Sequence, residues 1–289
     1  MNSLPFAFYH AVTRSLSYIG SSALNLKRCI ELSGLICAVA AETDQKLAYE
    51  NITIDHNGRF LQTTYNTWSD KSKLASINPN YKLFTSFIIR RSCDVPSSDA
   101  IVAYRNVPAI CLCFFTSTIN KQFLERIYSL RFVSEMYFGP GSADLIPGMM
   151  RNFVAKKTLN HVIFLHDYVF DEPTATLLLD LLKQEQFSWV TLPTKSNSTL
   201  RRIIADWKEN PEKFIGKQVI TQMKSDNKHY EAEVQAGRIR ECTEDERRSF
   251  KLYYGWTRWE NPQISTNRKC GIIYWHCDNN INEINLLFA

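Results

Sequence analysis

The stretch HVIFLHDYVFDEPTATLLLDLLKQEQFSWVTL, residues 161–192, decides the fold. It begins with a β-like run, His161–Leu165, and ends with a second, Phe187–Leu192. Between them, Asp171 and Pro173 mark the first turn of a helix. Four leucines then recur at helical spacing on one face, namely Leu177, Leu178, Leu181 and Leu182. Strand, helix and strand in this order form a βαβ unit.

The unit recurs along the chain. β-like runs end at Phe138, Leu165, Leu192 and Val219, at intervals of 27 residues, and a helical pattern follows each of the first three. A strand and a helix repeating every 20–29 residues or so are typical of a leucine-rich-repeat-like stack, and such stacks usually bind proteins. The leucine-rich consensus itself is absent. An ordinary open α/β sheet therefore stays an alternative.

These connections predict the fold class. Strand–helix–strand connections favour parallel pairing with right-handed crossovers. We therefore predict an α/β fold, α+β overall, with a small parallel sheet and outer helices. An earlier strand over 109–115 and a helix over 120–131 extend the stack.

Flanking segments complete the predicted organisation. The Asn57-Gly58 turn predicts a hairpin between 51–55 and 60–65, and Tyr81–Ile89 predicts another strand. Toward the C-terminus we predict a helix over Glu244–Tyr254 and a hairpin from 270–277 and 281–288. The predicted domains are a helical head (1–48), a strand module (49–108), the βα stack (109–221) and a strand-rich cap (222–289).

Composition indicates an ordinary globular protein. Charged residues make up 22% of the 289 residues, hydrophobic residues 45%, and the net charge is +5. That mild charge does not indicate a nucleic-acid partner. The first fifteen residues lack a secretory signal pattern, and the longest apolar stretch, Leu32–Ala41, is about half a membrane span. We therefore expect an intracellular protein, cytoplasmic or nuclear, with no membrane and with reduced, buried cysteines.

Motifs for chemistry are weak. His166-Asp167 follows a strand, but no nucleophile motif accompanies it. Gly139-Pro-Gly141 resembles the start of a dinucleotide fingerprint, but Asp144 replaces the third glycine, where phosphate would lie, and a plain turn is the alternative. A zinc set of Cys242, Cys270, His276 and Cys277 lacks a C-x-x-C pair. Cys111 and Cys113 share one face of an apolar strand, a pattern typical of a core. We expect no catalytic residues, metal or cofactor.

An aromatic cluster is the clearest candidate contact. Tyr253, Tyr254, Trp256, Arg258 and Trp259 fall within seven residues. These residue types dominate protein-binding hot spots and also stack on bases or sugars. A local aromatic core that locks the cap onto the stack is the competing interpretation.

The N-terminal segment resembles a degenerate F-box. A Leu-Pro start, Leu4-Pro5, precedes short helical patterns that carry Leu24, Leu26 and the Leu35–Val39 patch. The later layout is similar to nematode-expanded F-box and F-box-associated proteins, at Trp207–Pro211 and at the closing strands, which hold Ile273-Tyr-Trp275 and Glu283–Phe288.

The resemblance implies a partner. It implies a substrate-recruiting subunit of a cullin-type ubiquitin ligase that holds a Skp-type adaptor through Leu4, Pro5, Leu24, Leu26 and Leu35. We therefore expect a non-enzymatic protein-interaction module. The alternatives are an α/β enzyme with a site on the loops 139–142, 166–168 and 193–196, and a folded domain with no link to a ligase.

Overall fold

A computed structural model of the chain describes two compact units, residues 1–161 and 162–289. The residues described are 35–45, 47–55, 59–65, 82–90, 101–107, 110–116, 118–165, 167–193, 196–222, 235–236, 239–241, 251–253, 256–258, 272–277 and 280–288.

The first unit contains, in chain order, α1 (Leu35–Gln45), β1 (Leu47–Ile54), β2 (Phe60–Tyr65), β3 (Lys82–Ile89), β4 (Ile110–Phe114), α2 (Lys121–Ser129), β5 (Val133–Phe138) and α3 (Ile146–Lys156). Its strand order is β2-β1-β3-β4-β5. The pair β1–β2 is antiparallel, whereas β1–β3, β3–β4 and β4–β5 are parallel. The strands β3, β4 and β5 therefore follow one another in space as in sequence. Parallel neighbours in sequential order with right-handed crossovers place their connections on one face of the sheet.

The connected face holds the core of this unit. Leu112, Phe114, Met136 and Phe138 lie on it and are at most 2% exposed. The crossover segment 101–107 covers it at β3, where the Tyr104 ring meets the Phe87 ring edge-on at 5.2 Å between centroids. The helix α2 buries Phe123 and Ile127 and exposes Lys121, Gln122 and Glu125. Burying this apolar helix stripe against the apolar sheet face stabilises the unit, at about 1.5–3 kcal/mol per large side chain.

A buried carboxylate fixes the register of the first three strands. Glu50 on β1 is 1% exposed. It accepts hydrogen bonds from Gln62 Nε2 on β2, from Thr85 Oγ1 on β3 at 3.2 Å and from the Tyr104 hydroxyl at 3.2 Å. A buried charge needs such donors, so these three partners hold the strands and the segment 101–107 in one arrangement.

The second unit contains β6 (His161–Phe164), which begins at the last residue of the first unit, followed by α4 (Glu172–Leu182), β7 (Trp189–Thr191), α5 (Asn197–Glu209), β8 (Gln218–Gln222), β9 (Ile239–Glu241), β10 (Lys251–Tyr253), β11 (Trp256–Arg258), β12 (Ile272–Cys277) and β13 (Asn280–Phe288). Its strand order is β6-β7-β8-β13-β12-β9. The pair β7–β8 is parallel, and β13 pairs antiparallel with both β8 and β12. The Phe288 ring packs against Trp207 of α5, with centroids 6.2 Å apart.

The predicted α/β class is confirmed. The strand over Val133–Phe138 has the predicted bounds, and the hairpins β1–β2 and β12–β13 form. The helices α2 to α5 end at residues 129, 156, 182 and 209, at intervals of 27, 26 and 27 residues. The repeat read from the strands is thus also present in the helix ends. The predicted four-domain division stays a prediction.

Residues 251–253 correct one expectation. The predicted helix over Glu244–Tyr254 is wrong at this part, because 251–253 form β10, which pairs antiparallel with β11. Aromatic residues and Thr257 favour an extended backbone over a helix. Residues 244–250 lie outside the described part of the chain.

Two turns repeat the same construction. The Ser142 amide and hydroxyl both donate to Gly139 O, at 3.3 and 2.7 Å. In the same way, the Ser196 amide donates to Pro193 O at 3.1 Å, and its hydroxyl donates to the same oxygen. The second turn follows the first by 54 residues, two repeat lengths. Each turn follows a strand and leads toward a helix, as a βα repeat requires.

Candidate functional site

One face of the first unit's sheet is lined by polar side chains. Successive residues of a strand point to opposite faces, so the residues that alternate with the core residues share the other face. The register places residues of neighbouring strands side by side on this face, in two rows that run across the strands. The inner row contains Asn51, Ser86, Cys111 and Glu135, and the outer row contains Thr53, Ile88, Cys113 and Tyr137. We call this surface the polar face.

An irregularity in β5 places Glu135 and Tyr137 on the polar face. The register between β4 and β5 shifts after Ile110, so that Val133 lies opposite Ile110 but Glu135 lies opposite Cys111. Ser134 is the extra residue of this bulge, and its hydroxyl donates to Ile110 O at 3.3 Å. Bulges re-aim side chains in this way. Without the extra residue, Glu135 and Tyr137 would point into the core face.

Two hydrogen-bonded groups contain inner-row residues, one around Glu135 and one around Cys111. Glu135 Oε1 lies 3.3 Å from His161 Nδ1, and Glu135 Oε2 accepts from the Tyr137 hydroxyl at 3.4 Å. Cys111 Sγ lies 3.7 Å from Cys113 Sγ, and the Ser86 side chain hydrogen-bonds Cys111. Ser86, Cys111, Glu135 and His161 are each less than a tenth exposed. Their hydrogen bonds compensate for the loss of water.

Exposure of the polar face rises toward the carboxyl ends of the strands. The outer row is half-buried, and the next residues of β3 and β4, Arg90 and Phe115, are exposed. The Phe115 amide donates to Ile89 O at 2.8 Å, so the ladder extends one residue beyond β4. The Arg90 guanidinium carbon lies 6.0 Å from the centroid of the Phe115 ring, a distance that permits a cation–π contact.

A glycine permits this placement of Phe115. A Cβ on Gly139 would lie 2.4 Å from Phe115 Cδ1 and 2.6 Å from Phe115 Cε1. The aromatic ring therefore covers the glycine backbone at the end of β5. We call the group formed by Ile88, Arg90, Cys113, Phe115 and Tyr137 the edge patch.

Two groups of the polar face, the Tyr137 hydroxyl and the Cys111 thiol, have raised pKa values. Burial, and then the negative charge of Glu135, raises the pKa of the Tyr137 hydroxyl well above its usual value. The hydrogen bond with Cys113, and then burial, raises the pKa of the Cys111 thiol. A neutral thiol is a weaker nucleophile than a thiolate.

Two of the three loops of the enzyme alternative, 139–142 and 193–196, form turns held by a serine hydroxyl. The hydroxyls of Ser142 and Ser196 both donate to a carbonyl three residues earlier. His166, Thr194 and Lys195 lie outside the described residues, and Asp167 and Tyr168 follow β6. Within the described residues, no three or more His, Cys, Asp and Glu side chains are grouped as a metal site would need.

Most residues singled out from the sequence lie outside the described part of the chain. This holds for Leu4, Pro5, Leu24, Leu26, Tyr254, Trp259, Cys242 and Cys270. Leu35 is the first residue of α1, and its side chain is not described. Tyr253 ends β10, and Trp256 and Arg258 bound β11, with side chains likewise undescribed. His276 and Cys277 end β12.

The polar face is absent from the sequence predictions. A sequence signal exists, because polar or sulfur-bearing residues alternate in Cys111-x-Cys113 and Glu135-x-Tyr137. Cys111 and Cys113 do share one face, as predicted; Cys111 is buried as expected of a core position, whereas Cys113 is half-buried.

Comparisons with known proteins add no relative. The chain matches no protein-family model, no curated protein and no solved structure. Every helix in the described ranges is too short or too polar to cross a bilayer.

Proposed function

We propose that this chain is a non-enzymatic protein-interaction protein that binds a protein partner through the edge patch. The carrying observation is the placement of Arg90, Phe115 and Tyr137 together at the exposed end of the polar face. Aromatic residues and arginine are enriched in protein interfaces and in their hot spots.

Rigidity supports the proposal. The patch residues belong to β3, β4 and β5 or to the residues directly after them, so their backbones are fixed by the sheet. Contact residues held on strands lose little conformational entropy on binding. Glu135 of the inner row accepts a hydrogen bond from the Tyr137 hydroxyl of the outer row and so holds Tyr137 from one side.

The test compares patch and helix variants. Phe115→Ala and Arg90→Ala remove patch side chains, whereas Gln122→Ala removes an exposed side chain of α2 on the opposite side of the sheet. Partners are captured on the tagged full-length chain and quantified by mass spectrometry. Loss of a hot-spot side chain costs about 2 kcal/mol or more, or about 30-fold in affinity.

The pattern of partner capture across the three variants decides whether the edge patch binds a partner. A partner that is depleted by Phe115→Ala and Arg90→Ala but retained by Gln122→Ala supports the proposal. Equal recovery of every captured protein from all three variants contradicts it.

A narrower form of the proposal makes the chain a substrate-recruiting subunit of a cullin-type ubiquitin ligase. It rests on the F-box resemblance at Leu4, Pro5, Leu24, Leu26 and Leu35. In support, Leu35–Gln45 is helical, as the resemblance requires of this segment. In this form the head binds the Skp-type adaptor, and the edge patch receives the substrate.

Co-expression with a Skp-type adaptor tests the narrower form. The full chain should co-purify with the adaptor, and Leu4→Ala with Pro5→Ala should abolish the complex, whereas Phe115→Ala should leave it intact. A chain that never forms the complex, under conditions that capture an authentic F-box protein, removes the ligase proposal and leaves the edge-patch proposal standing.

A further inference from the structure

Two thiols on β4 lie in near contact. Cys111 Sγ and Cys113 Sγ are 3.7 Å apart on the polar face. Residues two apart in a strand have Cα atoms separated by about 6.6 Å, just within the range that a disulfide spans. The Cβ atoms of such residues are about as far apart as their Cα atoms, whereas a disulfide needs them about 3.5–4.5 Å apart, so closing the bond also requires a local bend of β4 between the two cysteines.

The two thiols differ in access to solvent. Cys111 is 5% exposed and Cys113 is half-buried in the outer row. A small oxidant therefore reaches Cys113 first. We propose that Cys111 and Cys113 are a redox-modification site, at which a peroxide oxidises Cys113 and Cys111 resolves the product as an intrastrand disulfide.

The chemistry balances in two steps. The Cys113 thiol releases its proton and its sulfur attacks the peroxide; an S–O bond forms while the O–O bond breaks, and the departing hydroxide takes up that proton and leaves as water. The sulfur is oxidised to a sulfenic acid by two electrons, which the peroxide takes up. Cys111 sulfur then attacks Cys113 sulfur, the S–S bond forms, and the hydroxyl leaves with the Cys111 proton as a second water.

The partners of the thiols fit these roles. The raised pKa of Cys111 keeps it a neutral thiol that does not react first with peroxide. A disulfide at the upper end of the Cα range is strained, and strained disulfides are the readily reduced ones. The modification is therefore reversible. It draws the Cys113 sulfur away from the row between Ile88 and Tyr137.

Mass spectrometry of the full chain tests the site without any mutation. Trypsin releases residues 106–121 as one peptide that holds Cys111 and Cys113 and no other cysteine. The reduced chain is treated with hydrogen peroxide, denatured and alkylated. We expect this peptide to lose two hydrogens and both alkyl labels. Retention of both labels overturns the proposal, as does a Cys113 sulfinic or sulfonic acid beside a labelled Cys111.

Single variants assign the order of the two steps. Cys111→Ser should leave a Cys113 sulfenic acid that a dimedone probe traps, because the resolving thiol is gone. Cys113→Ser should leave Cys111 alkylated and unmodified. Equal trapping at Cys111 in Cys113→Ser overturns the order. Cys37→Ser is the matched control, because Cys37 is also half-buried but lies on α1. This variant should still form the disulfide in the 106–121 peptide. Loss of that disulfide in Cys37→Ser would contradict the pairing of Cys111 with Cys113.

Discussion

His161 Nδ1 lies 3.3 Å from Glu135 Oε1, and both side chains are buried. The pair joins His161, the last residue of the first unit, to the bulged strand β5, and a backbone hydrogen bond from the Asn160 amide to Ser134 O, at 2.7 Å, lies beside it. The inner row of the polar face therefore depends on a charged or polar contact that a buried sheet face rarely contains.

This contact predicts a coupled loss of stability. His161→Leu leaves Glu135 buried without its imidazole partner and should lower the free energy of unfolding by about 1–3 kcal/mol. Adding Glu135→Leu should cost less than the sum of the two single changes, because both partners are then removed. Urea unfolding of the four proteins measures the coupling. Glu125→Leu, at an exposed position of α2, is the control. Additive single effects would show that the pair is not coupled.

The contact between Phe115 and Gly139 predicts that an alanine at position 139 destabilises the fold and that removal of the Phe115 ring restores stability. Gly139→Ala places a Cβ 2.4 Å from Phe115 Cδ1 and 3.2 Å from Phe114 O, so we expect a loss of about 1–3 kcal/mol from overpacking. Phe115→Ala in the same chain removes the ring and should restore most of that loss. Thermal unfolding of the single and double variants measures it. If the double variant is no more stable than Gly139→Ala, the ring does not cover the glycine.

Lys217 predicts a stability effect in the second unit. Its Nζ donates to the backbone oxygens of Gln184, Glu185 and Phe187, at 2.7, 3.1 and 2.6 Å. These bonds close the loop between α4 and β7. Lys217→Met should cost about 1.5–3 kcal/mol, the range for hydrogen bonds to a charged group. Lys213→Met, at an exposed site, should cost almost nothing, and equal unfolding midpoints for the two variants would contradict the assignment.

Tyr137 predicts a pH dependence of stability. Its pKa in the folded chain is raised above the usual value near 10. The folded chain then holds this proton where the unfolded chain has released it. The contribution to stability is therefore complete below about pH 10 and is lost as the pH rises above it.

The measurement is chemical unfolding of wild type and Tyr137→Phe between about pH 8 and about pH 11. The slope of unfolding free energy against pH above pH ~10 should be shallower in Tyr137→Phe, by up to about 1.4 kcal/mol per pH unit. Tyr104 and Cys111 also have raised pKa values and remain in both proteins. Parallel profiles would mean that Tyr137 ionises alike in both states.

Local sequence signals were enough to predict the βα repeat. Asp171, predicted in the first turn of α4, is its N-cap and accepts from the Thr174 amide at 2.9 Å, and α5 ends at Glu209, directly before Asn210-Pro211. These elements are set by residues within one or two turns, so the sequence encodes them directly.

Elements that depend on pairing were not predictable in this way. The sequence pattern predicts a helix at 251–253, but these residues form a strand because they pair antiparallel with residues 256–258, which lie further along the chain. The edge patch depends on the register of three strands and on one bulge at Ser134, which the spacing of apolar residues does not reveal. One extra residue moves Glu135 and Tyr137 to the opposite face.

Site-specific photocrosslinking tests the central claim, that the edge patch contacts a protein partner, most directly. A benzophenone amino acid is placed at position 115 of the full chain, or at position 122 on α2 as the control, and is activated in cells. We predict a discrete crosslinked protein from position 115 and none from position 122. Crosslinks from position 122 alone, or from neither position, would contradict the claim.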